Sequence, residues 1–112
     1  MNWNSLQTTD QLTELLKESV EKKILIFKHS TSCSISRTAL DRLERNWKEE
    51  LPNTKSYFLD LLSYRVLSNV VAERFEVEHQ SPQVLIISDG KSIYNRSHFD
   101  IDYIQIKTVL KN

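Results

Sequence analysis

One cysteine, one glycine and two prolines in 112 residues each exclude something. A lone cysteine, Cys33, cannot close an internal disulfide, nor can it supply the several thiolates that a structural zinc site usually takes. So little glycine and proline leaves no repeat, low-complexity segment or linker, and predicts a tightly connected domain. Charge of one sign is also missing: fifteen basic residues balance fifteen acidic ones, so no global field draws the chain to nucleic acid or to an anionic membrane surface. Apolar runs fall far short of the roughly eighteen residues that span a bilayer, and Met1–Ser5 lacks a basic stretch followed by an apolar signal segment. The expectation is a cytoplasmic protein with no nucleic-acid and no membrane partner. What is present, 39% hydrophobic and 27% charged residues, suits one globular domain spanning residues 1–112.

With so little punctuation, each signal carries weight. Thr8 followed by Gln11 reads as a capping box, and Leu12, Leu15, Leu16 and Val20 form one face of a helix ending near Lys22. Ile24-Leu25-Ile26-Phe27 is a short unbroken apolar run, as in a strand buried on both faces. After polar His29-Ser30-Thr31-Ser32, the residues Ile35, Ala39, Leu43 and Trp47 recur every four positions beside Leu40. This predicts a second helix from near Cys33 to near Leu51, where Pro52 and Asn53 stop it. Tyr57-Phe58-Leu59 reads as a strand, Tyr64–Phe75 with Val66, Leu67, Val70 and Val71 as a helix, and Val84-Leu85-Ile86-Ile87 as a further buried strand. Asp89-Gly90 then predicts a type I′ hairpin into Ser92-Ile93-Tyr94. Ile101, Ile104 and Leu110, with Tyr103 and Ile106, give a last helix. The order implies an α/β fold with a central mixed sheet of about four strands and helices on both faces. It resembles the order of the thioredoxin fold.

That order gives Cys33 a particular place. Free cysteines usually pack as small hydrophobes, but this one follows a buried strand and opens an amphipathic helix, with Ser32 or Thr31 as the expected cap. Unpaired N–H groups there favour the thiolate, the nucleophile of disulfide exchange. Three residues on stands Ser36 in place of a second cysteine, so a thiol from outside must release any mixed disulfide on Cys33; Ser36 could donate a hydrogen bond to the sulfur. Ser81-Pro82 immediately precedes the third buried strand, where a proline is permitted and a cis bond would be a deliberate feature. In thioredoxin folds a cis proline at this place lies beside the reactive cysteine and leaves the preceding backbone free to pair with an extended substrate.

The stretches Phe27-Lys28-His29-Ser30-Thr31-Ser32-Cys33-Ser34-Ile35-Ser36, Ser81-Pro82-Gln83-Val84 and Ser97-His98 resemble the monothiol bacilliredoxins of the YtxJ type, the bacilliredoxin C family. Length and element order agree along nearly the whole chain. The family pattern is Thr-Cys-Pro-Ile-Ser, where this chain has Ser32 and Ser34 at the threonine and proline positions. The resemblance implies removal of bacillithiol from client proteins that carry it as a mixed disulfide, with Cys33 transiently bacillithiolated. Free bacillithiol or another bacilliredoxin would complete the cycle. It implies no metal or organic cofactor, bacillithiol being a co-substrate. Around Cys33, the residues Ser32, Ser34, Ser36, Ser81, Pro82, His29, Arg37 and His98 become candidate substrate contacts. His29 could steady the thiolate, and Lys28 and Arg37 could attract the carboxylates of bacillithiol. Asp60 is either a buried carboxylate near the site or a helix cap, and Trp47 belongs to the core. Two other readings remain: an iron-sulfur protein of the monothiol glutaredoxin kind, although Ser34-Ile35 replaces the Gly-Phe typical of those, and a non-catalytic binding module.

Overall fold

An apolar run without alternation has to be covered on both faces. In a computed structural model that describes residues 1–48 and 51–112, Ile24–Phe27 is the middle of strand β2 (Lys23–His29), and it lies inside the sheet. Strands β1 (Trp3–Ser5), β3 (Thr54–Asp60), β4 (Gln83–Ser88) and β5 (Lys91–Ser97) complete five strands in the order β1-β3-β2-β4-β5. β3 runs parallel to β1 and β2, while β4 is antiparallel to β2 and β5. The strand beyond the expected four is β1, whose Trp3-Asn4-Ser5 carries no apolar run. It is held by its ladder to β3 and by Trp3, which packs edge-on against Phe27 and Phe58.

Helices α1 (Thr9–Glu18) and α3 (Arg65–Arg74) cover one face, and α2 (Ser34–Asn46) and α4 (Tyr103–Lys111) the other. The pleat of β2 divides its side chains between them. Ile24 and Ile26 join Leu12, Leu15, Leu67 and Val71 in the α1/α3 layer. Leu25 and Phe27 join Ala39, Leu43, Ile106 and Leu110 in the α2/α4 layer. The same alternation sends the next two residues, Lys28 and His29, to opposite layers, and both are buried.

The structure corrects several helix faces and ends. The capping box is present, with Thr8 and Gln11 each bonding the other's backbone. The first helix nonetheless stops at Glu18, because buried Ser19 accepts hydrogen bonds from the hairpin turn: Asp89 N–H to its carbonyl and Gly90 N–H to its hydroxyl. Val20 thus lies beyond the cap and is exposed. In α3 the core stripe is Leu67, Val71 and then Phe75, four apart, which turns Val66 to solvent. In α4, Ile106 and Leu110 face the sheet, and Ile104 is exposed. The second helix ends at Asn46, earlier than Leu51. Trp47 leaves helical geometry (φ −86°, ψ 88°) and packs edge-on against Tyr103 in the core. Positions 49–50 of the expected helix lie outside the described residues.

Asp89 (φ 52°) and Gly90 (φ 73°) both have the positive φ of the expected type I′ turn. A Cβ at Gly90 would meet nothing within 4 Å, so a side chain there costs only backbone strain. Gly90→Ala is expected to lower the unfolding free energy by about 1 kcal/mol, and Gly90→Asn by less, because asparagine tolerates this conformation better. Urea denaturation of the two variants checks the ranking.

Candidate functional site

β2 hands the chain to α2 through a tight turn in which the Cys33 N–H donates to the Ser30 carbonyl at 3.2 Å. Cys33 is itself the N-cap of α2, with extended φ −104° and ψ 121°, and neither Ser32 nor Thr31 holds that place. The helix therefore starts one residue later than expected. Its first backbone bond runs from the Arg37 N–H to the Cys33 carbonyl, 3.1 Å. The Cys33 thiol is free and half-exposed, and makes no capping hydrogen bond. The N–H groups of Ser34, Ile35 and Ser36 have no acceptor within the helix, and an N-cap side chain sits next to them.

Ser36 does not serve the sulfur. Fully buried, its hydroxyl accepts the Ser30 N–H at 3.0 Å and lies 2.7 Å from Nδ1 of His29. Burial pushes the His29 pKa down; the carboxylate of Asp60 opposes this, Arg37 adds to it, and Glu44 opposes it. A neutral imidazole lets the Ser36 hydroxyl, already an acceptor, donate to Nδ1, which leaves the ring proton on Nε2. The ring packs 5.4 Å from that of Phe58. His29 is thus a buried brace of the turn before Cys33. Sequence reasoning missed Ser36 and Phe58 as its partners, since neither stands at a spacing that marks contact.

The Ser81–Pro82 peptide is cis. Lys28 pairs with Gln83 across β2 and β4, and one more step of that register sets Pro82 against His29, at the sheet end from which Cys33 departs. The Pro82 carbonyl accepts the His98 N–H at 3.0 Å, and His98 opens a short 3₁₀ turn, His98–Asp100, with φ 54°. Ser34 and His98 line a common groove of about 120 Å³ with Ile35, Thr38, Arg42 and the exposed ring of Phe99. Ser81 Oγ is buried without a hydrogen-bond partner among the described residues. Ser32 is exposed, with its hydroxyl 3.4 Å from that of Ser30, and exposed Arg37 donates from Nη1 to the Thr31 carbonyl at 3.2 Å. Asp60 is half-exposed and accepts from the backbone and hydroxyl of Ser63, in the manner of a cap before α3. Arg42 and Phe99 went unnoticed in the sequence: Arg42 stands about two helical turns beyond Ser34 on α2, a spacing that could have marked it, while Phe99 reaches the groove only through the packing of the 3₁₀ turn on α2.

Lys28 departs from expectation. Rather than a surface cation, it is fully buried in the α1/α3 layer, on the face opposite His29. Its ammonium donates to the Ser68 carbonyl at 3.0 Å and lies 3.2 Å from Nδ1 of His79. Among the described residues no carboxylate pairs with it. Burial pushes its pKa down to about 8. It is withdrawn from any solvent-borne carboxylate.

The fold and its placement of a single accessible thiol put the protein among the thioredoxin-fold thiol-disulfide oxidoreductases. Within that class the chain belongs to the monothiol bacilliredoxin BrxC family, whose model matches residues 4–106. A solved structure described as a candidate oxidoreductase with a thioredoxin fold is similar at 30% identity and a TM-score of 0.79, over 93% of this chain and 89% of that one. The thioredoxin of Fasciola hepatica is 19% identical, with a TM-score of 0.71 over 96% of each chain. That of Trypanosoma brucei brucei is 13% identical, with a TM-score of 0.76 over 99% of this chain and 93% of its own. These two thioredoxins bear on the fold alone.

Two outcomes follow from the buried polar groups. Ser36→Ala strips partners from the Ser30 N–H and from His29, and is expected to cost about 1–3 kcal/mol, read by urea denaturation; a loss under 0.5 kcal/mol would refute the brace. For Lys28, the folded pKa of about 8 lies below the ordinary 10.5. Between those values the unfolded chain holds a proton that the folded one lacks, so unfolding free energy rises with pH across that window. The stability deficit of wild type relative to Lys28→Met should therefore shrink from pH 8 to 10.5, and a gap constant over that range would contradict the assignment.

Proposed function

We propose that the protein removes bacillithiol from client proteins whose cysteines carry it as a mixed disulfide. Membership of the monothiol bacilliredoxin family supports this reading. The observation that carries it is the contrast between positions 33 and 36: one thiol is reachable at a helix start, and three residues on a buried serine is committed to His29 and Ser30. With no second cysteine in the chain, an adduct on Cys33 can be released only by a thiol from outside, as monothiol exchange requires.

The Cys33 thiolate attacks the bacillithiol sulfur of the client disulfide. An S–S bond forms between Cys33 and bacillithiol as the client S–S bond breaks, and the client sulfur leaves as a thiolate that takes a proton from water. A second bacillithiol, as thiolate, then attacks the bacillithiol sulfur of the adduct. Bacillithiol disulfide departs and the Cys33 thiolate returns, so each client is reduced by two electrons drawn from bacillithiol. Another bacilliredoxin can accept the bacillithiol instead. Ser81 and Pro82 border the incoming disulfide, and Ser34, Arg37 and His98 face the co-substrate. Ser32 lies at the exposed rim of the turn, while Ser36 and His29 hold the turn from beneath. The cytoplasm is the compartment that this thiol chemistry suits.

Incubating a bacillithiolated client with wild type and with Cys33→Ala, and following the mass of both proteins, tests the proposal. Wild type should free the client while carrying a transient bacillithiol adduct, and Cys33→Ala should do neither. Absence of transfer by wild type, or equal transfer by both, would sink it. A glutathionylated client measures the selectivity.

A further inference from the structure

Lys28 occupies a position that the pleat of β2 assigns to an apolar residue. A buried ammonium that has no carboxylate beside it among the described residues is costly, and departures of this kind concentrate where function needs them. Its two partners show what it holds. The Ser68 carbonyl belongs to α3, and His79 belongs to the segment between α3 and β4 that ends in Ser81-Pro82. Burial and the charges of Lys28 and Arg65 keep His79 below its ordinary pKa, so its Nδ1 can accept from Lys28 and its ring adds no second cation. A second side chain grips the same segment independently: Gln83, buried opposite Lys28 across β2 and β4, donates from Nε2 to the Glu78 carbonyl at 2.9 Å. Two adjoining buried side chains of the central strands thus fasten consecutive residues, Glu78 and His79, just ahead of the cis bond.

We propose that Lys28 is a positioning residue for client recognition: through His79 it fixes the path of residues 78–82, and with it the Ser81 backbone against which an extended client strand lies beside Cys33. This rests on the exchange chemistry above but not on the identity of the small thiol. It predicts that Lys28 matters for disulfides embedded in a polypeptide and not for compact ones.

The test uses the full chain with two probes that share one leaving group. Cys33 thiolate attacks 5,5′-dithiobis(2-nitrobenzoate), or an eight-residue peptide whose central cysteine carries 2-nitro-5-thiobenzoate. In each case an S–S bond forms to Cys33, the old one breaks, and coloured nitrothiobenzoate leaves. Wild type should prefer the peptide. Lys28→Met should lose at least tenfold in rate toward the peptide and stay within twofold toward the compact reagent, with an unchanged or higher melting temperature because an uncompensated charge has been removed. His79→Leu should share the peptide defect, and His79→Asn, which keeps an acceptor near the place of Nδ1, should restore most of the rate. Equal loss toward both probes with a lower melting temperature would make Lys28 merely structural and overturn the proposal. So would an undiminished peptide rate, or no peptide preference in wild type. Failure of bacillithiol transfer alongside the expected pattern would remove only the bacillithiol assignment.

Discussion

Everything at this site depends on how two consecutive buried polar side chains at the end of one central strand find their hydrogen bonds. β2 is flanked by β3 and β4, so its backbone is fully engaged and its side chains must alternate between two dry layers. Four apolar residues accept that without difficulty. Lys28 and His29 do not, because each buries hydrogen-bonding groups that cost about 1–3 kcal/mol if left unpaired. Each is therefore obliged to seize a neighbouring segment: His29 takes Ser36 and, through it, the Ser30 turn, while Lys28 takes Ser68 and His79. The helix start that presents the thiol and the segment ahead of the cis Ser81–Pro82 bond are fastened from opposite faces of the same strand end.

That arrangement gives Ser36 a meaning beyond the loss of a thiol. A serine oxygen can accept one hydrogen bond and donate another at short range, whereas a thiol does both weakly. With the Ser30 N–H at 3.0 Å and His29 Nδ1 at 2.7 Å, the buried hydroxyl is committed to the turn. The position that would resolve a mixed disulfide internally is spent on holding the turn rigid, and dependence on an external thiol follows from the same contact that orders the site.

Much of this was legible in the sequence, and the limits have physical causes. The apolar runs 24–27 and 84–87, the Thr8–Gln11 box and the Asp89-Gly90 turn each act through local chemistry, and each appears where its residues require. Strand β1 was invisible because a three-residue edge strand needs only a ladder and one aromatic anchor, Trp3. The spacing of Val20, Val66 and Ile104 fits a helix, but all three are exposed; which face packs is decided by tertiary contacts such as the grip of Ser19 on the hairpin. Lys28 read as a surface cation because composition scales place lysine outside. Only the parity of its position along β2, two residues from Ile26, carried the opposite message.

The same reasoning bears on Ser34, which stands where the family pattern has proline. It is the first residue of α2, a position that suits proline because its fixed φ is already helical and its missing N–H has no partner to lose. Serine gives up that fixed φ and regains the N–H. The restraint lost is partly replaced from elsewhere: the turn is closed by Cys33 N–H to the Ser30 carbonyl, clipped by Arg37 to the Thr31 carbonyl, and braced beneath by Ser36 and His29. The regained N–H belongs to the unpaired group at the head of α2, next to the cysteine cap. The substitution therefore trades a backbone constraint for one more unpaired backbone donor at the helix start that holds Cys33.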